Sequence, residues 1–161
     1  MTIYILFGEM GVGKNHIGEQ LAAHLGCDFF DGDNAFPPNL KEKIKRCESL
    51  TKREVRSYVL GNLIPCIVTA GLHSKSPDLV VAQALYIQEH RDIISWSLAD
   101  YQIEWVHIKP PSFLTHMRRL CSRESGLKWM LLGLISKAAF QEPPSGTLTI
   151  ESVQDIDVAS V

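Results

Sequence analysis

Thr2 to Phe7 (TIYILF) runs without a break into Gly8-Glu9-Met10-Gly11-Val12-Gly13-Lys14-Asn15, and a segment reading IGEQLAAHLG follows. A continuous apolar run, rich in β-branched and aromatic residues, suits a strand buried on both faces, the condition of a parallel sheet. Ile17, Leu21 and Leu25 recur four residues apart, so they share one helical face, and Gly26 is placed to cap the helix C-terminus. Strand, glycine-rich turn and helix are therefore expected in that order at the start of the chain.

The turn fits G-x-x-x-x-G-K. Glycines there let backbone N–H groups curl around phosphate oxygens without Cβ clashes. Lys14 brings a point charge to the β- and γ-phosphates, and the helix N-terminus adds the positive end of its dipole. Gly8, Glu9, Met10, Gly11, Val12, Gly13, Lys14, Asn15 and His16 are the candidate nucleotide contacts. Asn15 stands where Ser or Thr is usual, and that hydroxyl ordinarily ligates Mg²⁺ and bonds a phosphate oxygen. An amide oxygen also ligates hard cations, from a longer side chain.

Further along, Cys27 to Phe30 reads as a short strand ending in Asp31-Gly32-Asp33. Residues 34 to 46 read as loop with a short helix. Thr51 and Glu54 form a capping box that opens a helix burying Val55, Tyr58, Val59, Leu63 and Ile64, with Pro65 placed to kink or end it. Strands are expected over Asp78–Ala84, Ile103–Lys109 and Thr147–Glu151. Helices are expected over Ile87–Ala99, from a Ser112 cap toward Arg123, and over Leu127–Phe140. Strands alternating with helices predict an α/β sandwich on a parallel sheet. Trp96 and Trp105 are expected in the packing, and the six histidines at ordinary surface or core positions.

With 161 residues the chain is the size of one domain, and 45% hydrophobic residues suffice for a core. Sixteen basic against eighteen acidic side chains leave a net charge of −2, which gives no support to a nucleic-acid or membrane-surface binder. Cys27, Cys47, Cys66 and Cys121 are scattered, with no ligand spacing for zinc, and read as free thiols. The apolar run at the N-terminus is too short for a signal peptide or a membrane span, so a cytoplasmic protein is expected.

The phosphate loop, the FFDGD segment (Phe29–Asp33), RRLCSR (Arg118–Arg123) and AFQEPP (Ala139–Pro144) together resemble P-loop small-molecule kinases of the gluconate kinase and shikimate kinase group. Gluconate kinases match better, through DGD followed by Pro37, Glu42-Lys43, Ala84-Leu85, Arg91-Asp92 and R-L-x-x-R at Arg119 to Arg123. The resemblance implies a three-layer nucleoside-monophosphate-kinase-like fold on a five-stranded parallel sheet, in one domain, with a helical lid over about 119–145. It implies ATP and Mg²⁺ as cofactors, with Asp31 holding the metal through water and Asp33 contacting the accepting hydroxyl as base. Arg119 would stack on adenine, and Arg123 would neutralise the transferring phosphate alongside Lys14. The implied activity is phosphorylation of a small polar metabolite's hydroxyl, a sugar acid such as gluconate, by a monomer or homodimer.

The departures gather on the acceptor side. Phe36 replaces a histidine, Cys47-Glu48-Ser49-Leu50 stands for G-E-P-L, Lys52-Arg53-Glu54 replaces an acidic run, and Tyr86 replaces a lysine. Two further readings follow: an ATP-binding protein that has lost transfer chemistry, or a kinase for shikimate or a nucleoside. Individual residues keep plainer alternatives. Asp31-Gly32-Asp33 also suits an Asx turn, and Arg119 and Arg123 suit a solvated helix face. Arg56 fits an acceptor carboxylate or an exposed helix face, the latter preferred. Met130 to Ile135 fits lid packing or a dimer contact.

Overall fold

The computed structural model describes residues 1–74, 76–109, 112–122 and 126–156. Five strands, β1 (Thr2–Phe7), β2 (Asp28–Asp31), β3 (Asp78–Ala82), β4 (Gln102–Ile108) and β5 (Leu148–Ile150), form one sheet in the order β2-β3-β1-β4-β5. Every neighbouring pair is parallel. The central position of β1 explains its unbroken apolar run. Ile3, Ile5 and Phe7 enter one buried layer while Leu6 enters the layer on the opposite face.

Helix α1 (Lys14–Leu25) covers the second face with Ile17, Leu21 and Ala22, and Gly26 takes the left-handed cap expected of it. The other face is covered by α3 (Lys52–Tyr58), α4 (Ile64–His73) and α5 (Gln88–Ser97), after a short α2 (Pro38–Lys45). The capping box at Thr51 and Glu54 is complete in both directions. Lys43 and that box hold the Glu54 carboxyl down to about 2.

Pro65 does not end the helix. Residues Lys52–His73 run through a π-helical turn, Val59–Leu63, in which Ile64 donates to the Val59 carbonyl. Proline lacks an N–H and its ring crowds the carbonyl four residues back, so a wider turn just before it relieves the clash. The turn also keeps Val59, Leu63 and Ile67 on the sheet. By length and composition these 22 residues could cross a bilayer; here Tyr58, Val59, Leu63 and Ile67 are spent on the core.

Trp96 corrects the sequence expectation. Helix α5 buries His90, Arg91, Ile93 and Ile94, which places position 96 on the outward face, and Trp96 is 75% exposed. Trp105 packs as expected, edge-on to Phe7 with its indole N–H donating to Ser95 Oγ at 3.2 Å. Two helices, α6 (Phe113–Cys121, capped by Ser112) and α7 (Gly126–Ala139), pack together between β4 and β5 in the chain.

Candidate active site

The site lies at the carboxyl ends of the strands, where open α/β sheets bind ligands. Residues 8–13 leave the end of β1 and return as α1. Gly11 and Gly13 take positive φ values of 81° and 103°, which residues bearing a Cβ rarely adopt. No acidic residue occupies the first turn of α1, so the helix places no negative charge of its own at its positive dipole end. The Lys14 ammonium donates to the Gly8 carbonyl at 3.2 Å and the Glu9 carbonyl at 2.7 Å, and so lies along the loop it follows.

Two carboxylates stand beside the loop at the end of β2. Asp31 is the N-cap of a short 3₁₀ turn, Gly32–Ala35, and its Oδ1 accepts from the Asp33 N–H at 2.9 Å. The Asx turn is therefore real, and it is what positions Asp33. Asn15 Nδ2 donates to the other oxygen of Asp31 at 2.6 Å, which joins the unusual loop residue to the first aspartate. Behind them, Gln83 donates to the Tyr58 hydroxyl, which donates to the Gly32 carbonyl at 2.7 Å. Burial pushes the Tyr58 hydroxyl well up, so it remains a neutral donor.

Helix α6 sits on the loop. Buried His116 donates from Nε2 to the Met10 carbonyl, and its Nδ1 lies 3.7 Å from Glu9 Oε2. A Cβ on Gly11 would stand 2.7 Å from Leu120 Cδ2. The spacing of His116 from the loop, 106 residues, left no local signal for this contact.

A cleft of about 620 Å³ opens between these parts. Among the candidate nucleotide contacts, Met10, Gly11, Gly13, Lys14, Asn15 and His16 line it together with Asp33. Glu9 turns toward His116, and Val12 is buried in the core. Arg123 lies outside the described residues, as does the side chain of Arg119. Arg56 is an exposed partner of Glu89, the plainer of its two readings. Tyr86, noted in the sequence on the acceptor side, lines the cleft, as do Gln83, Tyr58 and Leu132, which the sequence did not single out for the site.

The residues fit a hydrated Mg²⁺ shared with phosphates, which asks the protein for one or two oxygen ligands rather than a closed cage. Asp31 and Asn15 supply that kind of donor set beside the loop.

A family model for shikimate kinase matches residues 10–54, from the phosphate loop through Asp33 to the capping box. A shikimate kinase of Ruegeria pomeroyi is 29% identical over 112 residues, 65% of this chain and 55% of the relative. The chain thus spans about half the length of that curated relative. A gluconokinase from Sinorhizobium meliloti superposes with a TM-score of 0.75 at 19% identity, over 96% of this chain and 86% of its own. The chain has the α/β fold of the P-loop kinases. An APS kinase of Mycobacterium tuberculosis, in complex with AMPPNP and APS, shares the fold with a TM-score of 0.64 at 16% identity, over 99% and 95% of the two chains.

In this P-loop kinase fold the sheet's carboxyl edge also carries a buried histidine. His107 packs against both Phe7 and Phe140, each ring centroid 5.2 Å away, and its Nδ1 has no hydrogen-bond partner among the described residues. Burial pushes its imidazole down from 6.5 to about 4, against the opposing pull of Glu142, with Lys109 and Arg91 adding to the depression. A depressed pKa means the neutral form is favoured in the fold. Its contribution is complete above about pH 6.5 and is lost as pH falls toward 4, at a cost of about 3 kcal/mol. Thermal melts of the wild type should therefore weaken over that window, and His107→Phe should remove most of the loss. An identical acid profile in both proteins would place the titration elsewhere.

Proposed function

We propose that this chain transfers the γ-phosphoryl group of ATP to a hydroxyl of a small molecule. The observation that carries the reading is a single cleft lined both by the phosphate loop with Lys14 and by Asp33. In the proposed step the acceptor oxygen forms a bond to the γ-phosphorus, and the bond to the β,γ-bridging oxygen breaks. ADP leaves with that electron pair, and the hydroxyl proton passes to Asp33. The loop amides and Lys14 bind the phosphates, while the Asp31 oxygen bonded to the Asp33 N–H holds Asp33 in place. Mg²⁺, held by Asp31 and Asn15, would neutralise phosphate charge when bound. Helices α6 and α7 serve as the lid, excluding water that would otherwise act as acceptor.

The resemblance favours a sugar acid, and the matched relatives equally admit shikimate. The test is ADP formation from Mg·ATP with gluconate, shikimate, a nucleoside and simple alcohols, each against a no-acceptor blank. Acceptor-dependent ADP with any of them supports the reading. Bound ATP with a flat panel would favour a protein that has lost its chemistry.

The Asn15–Asp31 bond argues for an adapted ligand rather than decay. Serine at this position is too short to reach Asp31 in the same way. Asn15→Ser is therefore expected to lower Mg²⁺-dependent turnover about tenfold, the effect of misplacing a positioning group. A gain in turnover would instead mark asparagine as a decayed position.

A further inference from the structure

The cleft past Asp33 has an unusual character for a site meant to hold a charged, polyhydroxylated acceptor. One wall comes from Phe36, Leu50 and Val55, with Phe36 stacked on buried Tyr58 at 4.0 Å between ring centroids. The other comes from α7, through Trp129, Leu132 and Ile135. Lys14 is the one lysine or arginine among the described lining residues, and it belongs to the phosphate loop. Among the described residues, Lys43 pairs with Glu54 at 2.6 Å, Arg46 with Glu48 at 2.7 Å, and Arg56 with Glu89. Glu48 itself lines the cleft, and Arg46 is committed to it. Ser49, Gln83, Tyr86 and Ser122 also line the cleft and could meet a hydroxyl, but among the described lining residues beyond the phosphate loop no cation would meet the carboxylate of a sugar acid. An aromatic body would be matched on both sides.

We propose that the acceptor is an uncharged hydroxyl compound with a flat apolar or aromatic body, held between the Phe36–Leu50–Val55 wall and the α7 wall. This inference rests on the phosphotransferase reading for its chemistry and on the cleft walls for its substrate class. The hydroxyl reaches Asp33, and transfer proceeds with the same bonds made and broken as above. The aromatic ring replaces the polar contacts that a sugar acid would need. Ile135 is the wall residue best suited to a test, because it is 57% exposed and its replacement leaves the core untouched.

The experiment has two independent readouts on the whole chain with Mg·ATP. Saturation-transfer NMR measures binding of 2-phenylethanol, benzyl alcohol, gluconate and shikimate, and ADP formation measures turnover of the same four. The aromatic alcohols are expected to show transfer and acceptor-dependent ADP, and the two acids neither. Ile135→Glu is expected to weaken the 2-phenylethanol signal about fivefold, because it places a charge on an apolar wall. Its melting curve should match the wild type. Binding of gluconate or shikimate in preference to the alcohols would overturn the substrate class while leaving the kinase reading intact. Binding of the alcohols without ADP from any compound would support the apolar cleft and count against the kinase reading. Absence of transfer from either aromatic alcohol, or an undiminished signal in Ile135→Glu, would overturn the inference.

Discussion

Lys14→Ala is expected to lower acceptor-dependent ADP formation about 10³-fold, the scale of losing one preorganised charge at a site of developing negative charge. The ammonium is the lone lysine or arginine among the described residues of the cleft, and it lies on the loop where the phosphates would sit. Its bonds to the Gly8 and Glu9 carbonyls are half-buried, so their removal should change stability by only about 1 kcal/mol. Turnover and melting temperature should therefore separate. Steady-state kinetics beside a thermal melt on the same preparation checks both, and wild-type turnover in the variant would remove the phosphate-loop role from Lys14.

Gly8→Ala should damage stability and nucleotide binding together. A Cβ at this position would stand 2.3 Å from the Ile108 carbonyl oxygen, far inside van der Waals contact. That carbonyl cannot easily retreat. It belongs to β4, which is paired with β1 on one side and β5 on the other, and Lys109 donates to Ile150 just beyond it at 3.0 Å. The backbone of the loop must move instead, from a φ of 154° that already disfavours a side chain. A loss of about 3 kcal/mol or more is expected. Chemical denaturation and calorimetric titration with ATP measure the two effects, and a variant with wild-type values in both would mean that the loop tolerates displacement.

The two predictions concern parts of the chain with different legibility. Lys14 was readable because its role depends on neighbours within a few residues: a buried strand before it, glycines around it and a helix after it. The Thr51–Glu54 capping box and the Ser112 cap were readable for the same reason, since each closes a hydrogen bond three residues away. The clash that makes Gly8 sensitive was not readable, because its partner is the carbonyl of Ile108 on another strand. His116 shows the same limit. Its sequence neighbourhood is an ordinary amphipathic helix, and only the fold brings it against Met10 and Glu9. Arg91 entered the sequence reading only as part of the Arg91-Asp92 pair, with no contact attached to it. It is buried at the end of β1, with its guanidinium 4.8 Å from the centre of the Phe7 ring and donating to the Leu85 and Gln141 carbonyls. That arrangement fastens residues 140–142 to the sheet, which local pattern cannot reveal.

By itself the sequence determined the order of strands and helices, the phosphate loop, and the Asp31-Gly32-Asp33 turn beside it. These follow from periodicity and from hydrogen bonds that span one helical turn. Tertiary structure alone decided which of those residues share a cleft, that the Pro65 helix continues through a π turn, and that Trp96 faces outward. It also decided the character of the acceptor side. Phe36, Leu50 and Val55 share a cleft with Trp129 and Ile135 only because α7 returns to the same edge of the sheet. A side chain's own chemistry is written at its position, whereas the polarity of a cavity is the sum over walls that distant segments bring together.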